Sequence, residues 1–213
     1  MKKIELETSN WKPVTNLKPK TYSHTLKPLL DYLAVVMLWI VFSWLIVLIS
    51  LTYALTLQFP IFFIQPRLGK NGKVFNMWKF RTLSVDDTKT LQQRRFILGD
   101  VLRKTNMDEL PQLWNVLKGE MAIVGPRPLP VEYDKLFSPD QRRRFVVKPG
   151  LTGWAQVNGR HSITWKVKLE LDQYYVNNNS LGLDMRIIFK TVSLLLSFKK
   201  DRSLEEEKFK GNN

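Results

Sequence analysis

The dominant pattern along the chain is a long apolar run near its start. Between Tyr32 and Pro66 there is no charged residue. About 20 apolar residues suffice to cross the hydrocarbon core of a bilayer, so we predict a membrane-embedded helix over roughly residues 29–57, within a membrane segment of residues 27–58. The run starts late and no small-residue cleavage site closes it, which argues against a secretory signal.

Cationic residues flank this run on both sides. Six lysines precede it, and five lysine or arginine residues follow it within residues 67–81. Cationic flanks favour the cytoplasmic side of a membrane. A re-entrant helix would place both flanks on that side, whereas a single span would place only one of them there. Ser43 could bend the helix by bonding back to a carbonyl, but no proline lies between Pro28 and Pro60, so re-entrant and spanning helices both stay open. The polar composition of residues 1–26 indicates a flexible basic arm, which we expect to lie near anionic lipid headgroups.

Two extended runs follow the apolar segment, over residues 59–67 and 74–83. The Asn71-Gly72 pair between them is a strong turn signal, so the two runs predict a β-hairpin. In the second run Lys79 and Arg81 lie on one strand face because side chains alternate with a period of two. Two cations so placed can approach one anion, although a solvated strand face has the same pattern.

The spacing of Leu110, Leu113, Trp114 and Leu117 predicts a short amphipathic helix over residues 106–119. Asn106 is expected to cap its N-terminus, with Glu109 completing a capping box. Gly119 is placed where such a helix ends.

This helix would hold Asp108 and Glu109 at its positive end. The helix dipole and the free backbone N–H groups there favour ionised carboxylates and would also attract phosphate. An ionised Asp beside a Glu can serve as a nucleophile and as a metal ligand. Acidic residues are common in first helical turns, so the pattern alone does not distinguish catalysis from helix capping.

Three further arginines lie in segments that can aim them at phosphate. Arg103 is carried by a short helix predicted over residues 96–104, and Arg127 lies in the rigid Gly125-Pro126-Arg127-Pro128 turn after a short apolar run. Arg160 closes a glycine-dense stretch, residues 148–160, which predicts a loop whose glycines allow close approach to a ligand. Exposed arginines in ordinary turns are the competing interpretation.

The remaining patterns are helical. A helix start at Ser138-Pro139 opens the run Arg142-Arg143-Arg144, which we expect to be a solvated face or to lie against lipid phosphates. Residues 165–176 predict a helix that carries Asp172. Residues 182–200 predict a basic amphipathic helix on a membrane surface, with core packing as the alternative. The charged tail from residue 201 is expected to be frayed.

Composition narrows the chemistry. Lysine and arginine total 33 against 19 aspartates and glutamates, so the formal net charge is +14, which favours an anionic partner. The chain has no cysteine and two histidines, so a disulfide framework and a thiolate zinc site are excluded and a Ser/His/Asp arrangement is disfavoured. The elements predict an α+β fold: a membrane-embedded N-terminal helix, and a small, mostly helical cytoplasmic domain with a β-hairpin and amphipathic interfacial helices.

From the residues alone, the sequence predicts a phosphate-handling site beside a membrane. Its expected cations are Lys79, Arg81, Arg103, Arg127 and Arg160, and its carboxylates are Asp108 and Glu109. These residue types do not by themselves name a reaction.

Six segments, in this order and spacing, resemble the bacterial sugar transferase family, whose small members are monotopic phosphoglycosyl transferases. The segments are Leu68-Gly69, Lys79-Phe80-Arg81-Thr82, Asp108-Glu109-Leu110-Pro111-Gln112-Leu113, Val124-Gly125-Pro126-Arg127-Pro128, Lys148-Pro149-Gly150-Leu151-Thr152-Gly153 and Asn158-Gly159-Arg160. The resemblance runs from about Lys27 to about Lys200. It implies a catalytic domain over residues 59–200, followed by a charged tail of residues 201–213.

The resemblance implies transfer of a sugar 1-phosphate from a UDP-sugar to undecaprenyl phosphate, with release of UMP and with Mg²⁺. Asp108 would be the nucleophile that forms a phosphosugar–aspartyl intermediate, and Glu109 would bind Mg²⁺ or assist proton transfer. Lys79, Arg103, Arg127 and Arg160 match basic family positions that would hold phosphates, and Asp172 matches an acidic one. The implied location is the cytoplasmic face of the bacterial inner membrane, in the first membrane step of glycan assembly.

The implied partners are a UDP-sugar, undecaprenyl phosphate and membrane lipids, without nucleic acid and with the oligomeric state open. Small family members usually have a Ser-Pro break in the membrane helix, whereas here Ser43 precedes Trp44. Two alternatives remain at this stage. One is a non-enzymatic, membrane-tethered basic module that binds anionic lipid or nucleic acid, and the other is a glycosyltransferase that releases UDP.

Overall fold

The structure is a computed structural model that describes residues 22–159, 163–197 and 208–211. Its described part contains six α-helices and four short strands, together with 3₁₀ turns. The strands pair into two separate two-stranded sheets. The elements are α1 (Lys27–Leu55), β1 (Phe62–Leu68), β2 (Val74–Phe80), α2 (Ile97–Thr105), α3 (Leu113–Leu117), β3 (Ala122–Val124), β4 (Gly150–Thr152), α4 (Trp154–Asn158), α5 (Trp165–Asn178) and α6 (Leu181–Leu196). This confirms a mixed helix and sheet architecture with one long apolar N-terminal helix.

Helix α1 is unbroken and is long and apolar enough to cross a membrane. One stripe of it packs on the rest of the chain, since Val35, Ile49 and Tyr53 are buried and lie whole numbers of helical turns apart. Val35 packs with Met77 and Leu113, while Tyr53 stacks on Phe80. The opposite side exposes large apolar residues along the whole helix. The choice between a re-entrant and a spanning helix stays a prediction.

The N-terminal part of α1 is held to the rest of the chain by an ion pair and a hydrogen bond. Lys27 Nζ donates to Asp184 Oδ2 of α6 at 2.7 Å, and Asp31 accepts from the backbone N–H of Ile123 at 3.3 Å. A helical turn, Tyr22–Leu26, leads into α1. The rest of the predicted basic arm, residues 1–21, lies outside the described residues.

The predicted hairpin is confirmed. Strands β1 and β2 pair antiparallel from Phe62 opposite Phe80 to Leu68 opposite Val74. The turn contains Asn71 and Gly72, both with positive φ. Phe75 and Met77 face the core on the same side as Lys79. Strand pairing ends at Phe80, so Arg81 follows the strand instead of extending its face.

The helix predicted over residues 106–119 is divided into two pieces. A 3₁₀ turn, Met107–Gln112, precedes the short α3. Asn106 is left-handed (φ 57°), ends α2 and makes no side-chain capping bond, so the predicted capping box is wrong. Pro111 has no N–H to donate and cannot support a regular α-helix through this region. Gly119 (φ 73°) confirms the predicted helix end.

The glycine-dense stretch 148–160 was predicted as a loop, but it forms β4 and α4. Strand β4 pairs parallel with β3, with Ala122 opposite Gly150 and Val124 opposite Thr152. A Cβ added to Gly150 would lie 2.1 Å from the backbone N of Gly125, and one added to Gly153 would lie 2.2 Å from its carbonyl O. These glycines therefore bring two backbone segments together, where we had expected them to approach a ligand.

Gly150→Ala is expected to lower the free energy of unfolding by about 3 kcal/mol, because its new Cβ has no space beside Gly125. The measurement is thermal or denaturant unfolding in detergent. Gly182→Ala is the matched control, since nothing lies within 4 Å of a Cβ at that helical position, and alanine there should be neutral or slightly stabilising. Equal stability of the two variants would contradict the interlocked backbones.

The predicted tail contributes to the core. Phe209 is 3% exposed, its ring is stacked 5.0 Å from that of Phe137, and it also packs against Trp165. The expectation of a frayed end is therefore wrong at this residue, because a single aromatic side chain among charged neighbours can fill an aromatic cluster. Residues 198–207 and 212–213 lie outside the described residues.

Candidate active site

A cavity of about 490 Å³ lies between β2, the 3₁₀ turn, β3, β4, α5 and α6. Its lining combines charged and apolar walls. The cationic lining residues are Lys79, Arg103, Lys104, Arg127, Arg144 and Lys168, and the acidic ones are Asp108, Glu109 and Asp172. Cations thus outnumber carboxylates two to one, which suits a ligand that carries several negative charges.

The 3₁₀ turn places Asp108 and Glu109 against the hairpin. Lys79 Nζ, at the end of β2, donates to Glu109 Oε1 at 2.6 Å and lies 4.0 Å from Asp108 Oδ2. Asp108 is buried, whereas the side chain of Glu109 is 23% exposed. The predicted acidic pair and the predicted strand cation therefore meet in one cluster.

Arg127 binds the same oxygen of Glu109 as Lys79 does. Its Nη2 donates to Glu109 Oε1 at 3.2 Å. Burial opposes the ionisation of Glu109, but the positive charges of Lys79 and Arg127 outweigh it and lower the pKa of Glu109 to about 2. Glu109 is therefore a carboxylate throughout the physiological pH range.

Arg103 also lines the cavity and is mostly buried. Its Nη2 donates to Asp100 Oδ1 at 2.5 Å, while its Nη1 is buried without a hydrogen-bond partner among the described residues. A buried guanidinium nitrogen without a partner is costly, so an anionic ligand in the cavity would relieve that cost.

The structure does not bring every predicted cation to the cavity. Arg81 is not part of the lining, since its guanidinium donates to the carbonyls of Pro60 and Phe62 at 3.0 and 3.4 Å. The alternation of side chains predicted that Arg81 shares a strand face with Lys79, but β2 ends at Phe80, one residue before Arg81. Arg160 lies outside the described residues.

Asp172 lies in the lining, where it is paired with Arg144. Arg144 was expected to belong to a solvated basic face and is instead 3% exposed. In a 3₁₀ segment, Gln141–Val146, the three successive arginines point in different directions. Nothing in the run Arg142-Arg143-Arg144 distinguishes the buried member.

Sequence reasoning also missed Lys104 and Lys168. Lys168 lies in the cavity with its Nζ 4.6 Å from the ring centre of Trp165. Its signal was present, since Trp165, Lys168 and Asp172 recur at positions that share one face of α5. Asp172 alone had been singled out from that face.

The site offers few metal ligands. Within residues 22–159, 163–197 and 208–211, no group of three or more His, Cys, Asp or Glu side chains could hold a metal ion. Mg²⁺ is usually bound by one or two carboxylates together with substrate phosphates and water. The Asp108 and Glu109 carboxylates fit that partial donor set, and a closed protein cage is not required.

Comparison of the sequence with known proteins places this chain in a family. Residues 22–198 match the family described as "Bacterial sugar transferase". The uncharacterized sugar transferase EpsL of Bacillus subtilis (strain 168) is 42% identical over 195 residues, which cover 88% of this chain and 96% of that protein.

Two longer relatives have more specific names. A UDP-N-acetylgalactosamine-undecaprenyl-phosphate N-acetylgalactosaminephosphotransferase of Aeromonas hydrophila is 33% identical over 92% of this chain and 49% of its own length. A UDP-glucose:undecaprenyl-phosphate glucose-1-phosphate transferase of Xanthomonas campestris pv. campestris is 43% identical over 66% of this chain and 32% of its own length. The chain thus spans half or less of these two relatives, and nearly all of EpsL. It belongs to the bacterial sugar transferase family and is a transferase enzyme.

Proposed function

We propose that this enzyme transfers a sugar 1-phosphate from a UDP-sugar to undecaprenyl phosphate and releases UMP. One observation carries the proposal: a single cavity holds a carboxylate pair, a surplus of cations and an apolar wall. The carboxylates can supply a nucleophile and a ligand for Mg²⁺, the cations can bind phosphates, and the apolar wall suits a polyprenyl chain. The names of the Aeromonas and Xanthomonas relatives describe this chemistry.

The apolar wall of the cavity is formed partly by α1 and α6, two helices that also have exposed apolar residues. Leu38 of α1 and Ile188, Val192 and Leu195 of α6 line the cavity. Phe189 of α6 is 67% exposed on the outside of the same helix. A lipid-linked phosphate could therefore enter beside α6 while its chain stays in an apolar environment. The long apolar α1 and the cationic flanks support a site on the cytoplasmic face of the inner membrane.

In the proposed first step, a carboxylate oxygen of Asp108 attacks the β-phosphorus of the UDP-sugar. The bond between the β-phosphorus and the oxygen bridging to the α-phosphate breaks, and UMP leaves with that oxygen. The sugar phosphate is then held on Asp108 as an acyl phosphate. Lys79, Arg103 and Arg127 lie where they can neutralise the phosphate oxygens.

In the second step a phosphate oxygen of undecaprenyl phosphate attacks the same phosphorus. The bond to Asp108 breaks, which restores its carboxylate and yields undecaprenyl diphosphate sugar. Glu109, held as a carboxylate by Lys79 and Arg127, would hold Mg²⁺ together with the substrate phosphates. When bound, Mg²⁺ would supply charge neutralisation on the diphosphate. Lys79 and Arg127 limit repulsion between Glu109 and that diphosphate.

The identity of the released nucleotide tests this function. Detergent- or nanodisc-held protein would be incubated with Mg²⁺, undecaprenyl phosphate and a panel of UDP-sugars. With at least one donor, the proposal predicts Mg²⁺-dependent release of up to one equivalent of UMP per enzyme without lipid, and continued UMP release only when undecaprenyl phosphate is present. Release of UDP would indicate ordinary glycosyl transfer, and membrane binding without nucleotide release would favour a basic tethering module.

A further inference from the structure

A buried ion pair lies in the cavity wall away from Asp108 and Glu109. The guanidinium of Arg144 donates through Nε and Nη2 to Asp172 Oδ2, at 3.0 and 2.7 Å. The two side chains are 3% and 5% exposed. The pair joins the 3₁₀ segment Gln141–Val146 to α5 across 28 residues of sequence.

Arg144 also holds the loop that carries Arg127. Its Nη2 donates to the backbone carbonyl of Arg127 at 2.8 Å. The next carbonyl, that of Pro128, accepts from Arg67 Nη1 at 3.2 Å. Two arginine side chains therefore bind consecutive carbonyls of the Gly125-Pro126-Arg127-Pro128 loop, and the Arg127 side chain extends from it to Glu109.

Stability is a poor explanation for this pair. The free-energy cost of removing two charges from water often exceeds the free energy of their attraction. Hydrophobic replacements of buried ion pairs are therefore frequently neutral or stabilising. The guanidinium is planar and rigid, however, so two donors held on Asp172 Oδ2 also fix its orientation toward the Arg127 carbonyl that it binds.

We propose that Arg144 and Asp172 are positioning residues that fix the Arg127 loop so that the Arg127 guanidinium stays on Glu109. This inference rests on the proposed phosphoryl transfer for its kinetic consequence, but the loop geometry is independent of it. Asp172, which matches an acidic family position, then acts through Arg144 and does not contact substrate. Burial raises the pKa of Asp172 and the charge of Arg144 opposes that rise, so the carboxylate depends on its partner.

The test uses Arg144→Lys and Asp172→Asn in the full chain. Each should lower kcat by about 100-fold, since a displacement of about 1 Å in a positioning group can cost that much, while KM for the UDP-sugar changes less than about threefold. The matched control is Arg142→Lys, which alters a neighbouring pair with Asp134 (2.8 Å) in the same segment, outside the cavity lining. Its turnover should stay near wild type.

A second readout needs no substrate. Amide hydrogen exchange at Gly125, Arg127 and Leu129, the residues of segment 125–129 that have a backbone N–H, should accelerate in both variants and stay unchanged in Arg142→Lys. If the single variants fold poorly, Arg144→Met combined with Asp172→Leu should restore stability but leave exchange fast and turnover slow.

Two results would overturn the proposal. Unchanged exchange at residues 125–129 would show that the pair does not hold the loop. A raised KM with unchanged kcat would show that Asp172 or Arg144 contacts substrate instead. If wild-type protein released no UMP, the proposed function would fail, while the exchange data would still decide the positioning role.

Discussion

Asp108→Asn is expected to reduce UMP release by more than about 1,000-fold, with folding and membrane association unchanged. The amide has nearly the same size and keeps the buried position of Asp108, but it has no anionic oxygen to attack phosphorus. Loss of a covalent nucleophile removes the reaction path, and losses of this size or larger are typical for such residues. The measurement is UMP release under single-turnover conditions with the preferred UDP-sugar.

The control for this variant is Asp140→Asn. Asp140 is an exposed carboxylate that accepts from Gln173 Nε2 at 3.0 Å and does not line the cavity. Its replacement should leave turnover within about twofold. Substantial turnover in Asp108→Asn would contradict the assignment of Asp108 as nucleophile. Loss of vesicle binding in that variant would indicate that the substitution had damaged the fold.

Lys79→Met is expected to lower kcat by about 100-fold or more and to shift the acid limb of the pH–rate profile to higher pH. Lys79 Nζ lies 2.6 Å from Glu109 Oε1 and 4.0 Å from Asp108 Oδ2. Its removal therefore leaves both carboxylates and the substrate phosphates with less cationic compensation. Losses of this order follow removal of one charge-stabilising group from an active site.

The direction of the pH shift follows from Glu109. Its pKa is lowered to about 2 because Lys79 and Arg127 outweigh its burial. Without Lys79 the effect of burial is less opposed, so the pKa of Glu109 rises and its protonation begins at higher pH. Lys73→Met removes an exposed lysine from the hairpin turn and serves as the control. An unshifted acid limb in Lys79→Met would show that Glu109 does not govern it.

Local patterns predicted the elements well. The apolar run predicted α1, and the Asn71-Gly72 pair predicted the hairpin. The spacing from Leu110 to Leu117 predicted where the helical region lies that comprises the 3₁₀ turn with Asp108 and α3. These signals lie within a few residues of each other, and hydrophobic period and turn chemistry act over that distance.

Contacts between distant segments were not predictable. Asn106 looks like a helix cap, but the preceding helix uses it as a left-handed terminator. Gly150 of β4 lies against the backbone of Gly125, 25 residues earlier in the chain, and Phe209 packs into a cluster of residues that are also far earlier in the chain. Likewise, Arg144 is distinguished from Arg142 and Arg143 by its buried contacts with Asp172 and with the Arg127 carbonyl, which no local pattern reveals.

The most direct test of the account is a search for the covalent intermediate. Protein would be mixed with its UDP-sugar and Mg²⁺ without undecaprenyl phosphate, quenched, and examined by intact-mass and peptide mass spectrometry. The account predicts a mass increase equal to one sugar phosphate, located on Asp108, absent in Asp108→Asn and removed when undecaprenyl phosphate is added. UMP release that depends on lipid, with no adduct at any residue, would contradict the two-step mechanism.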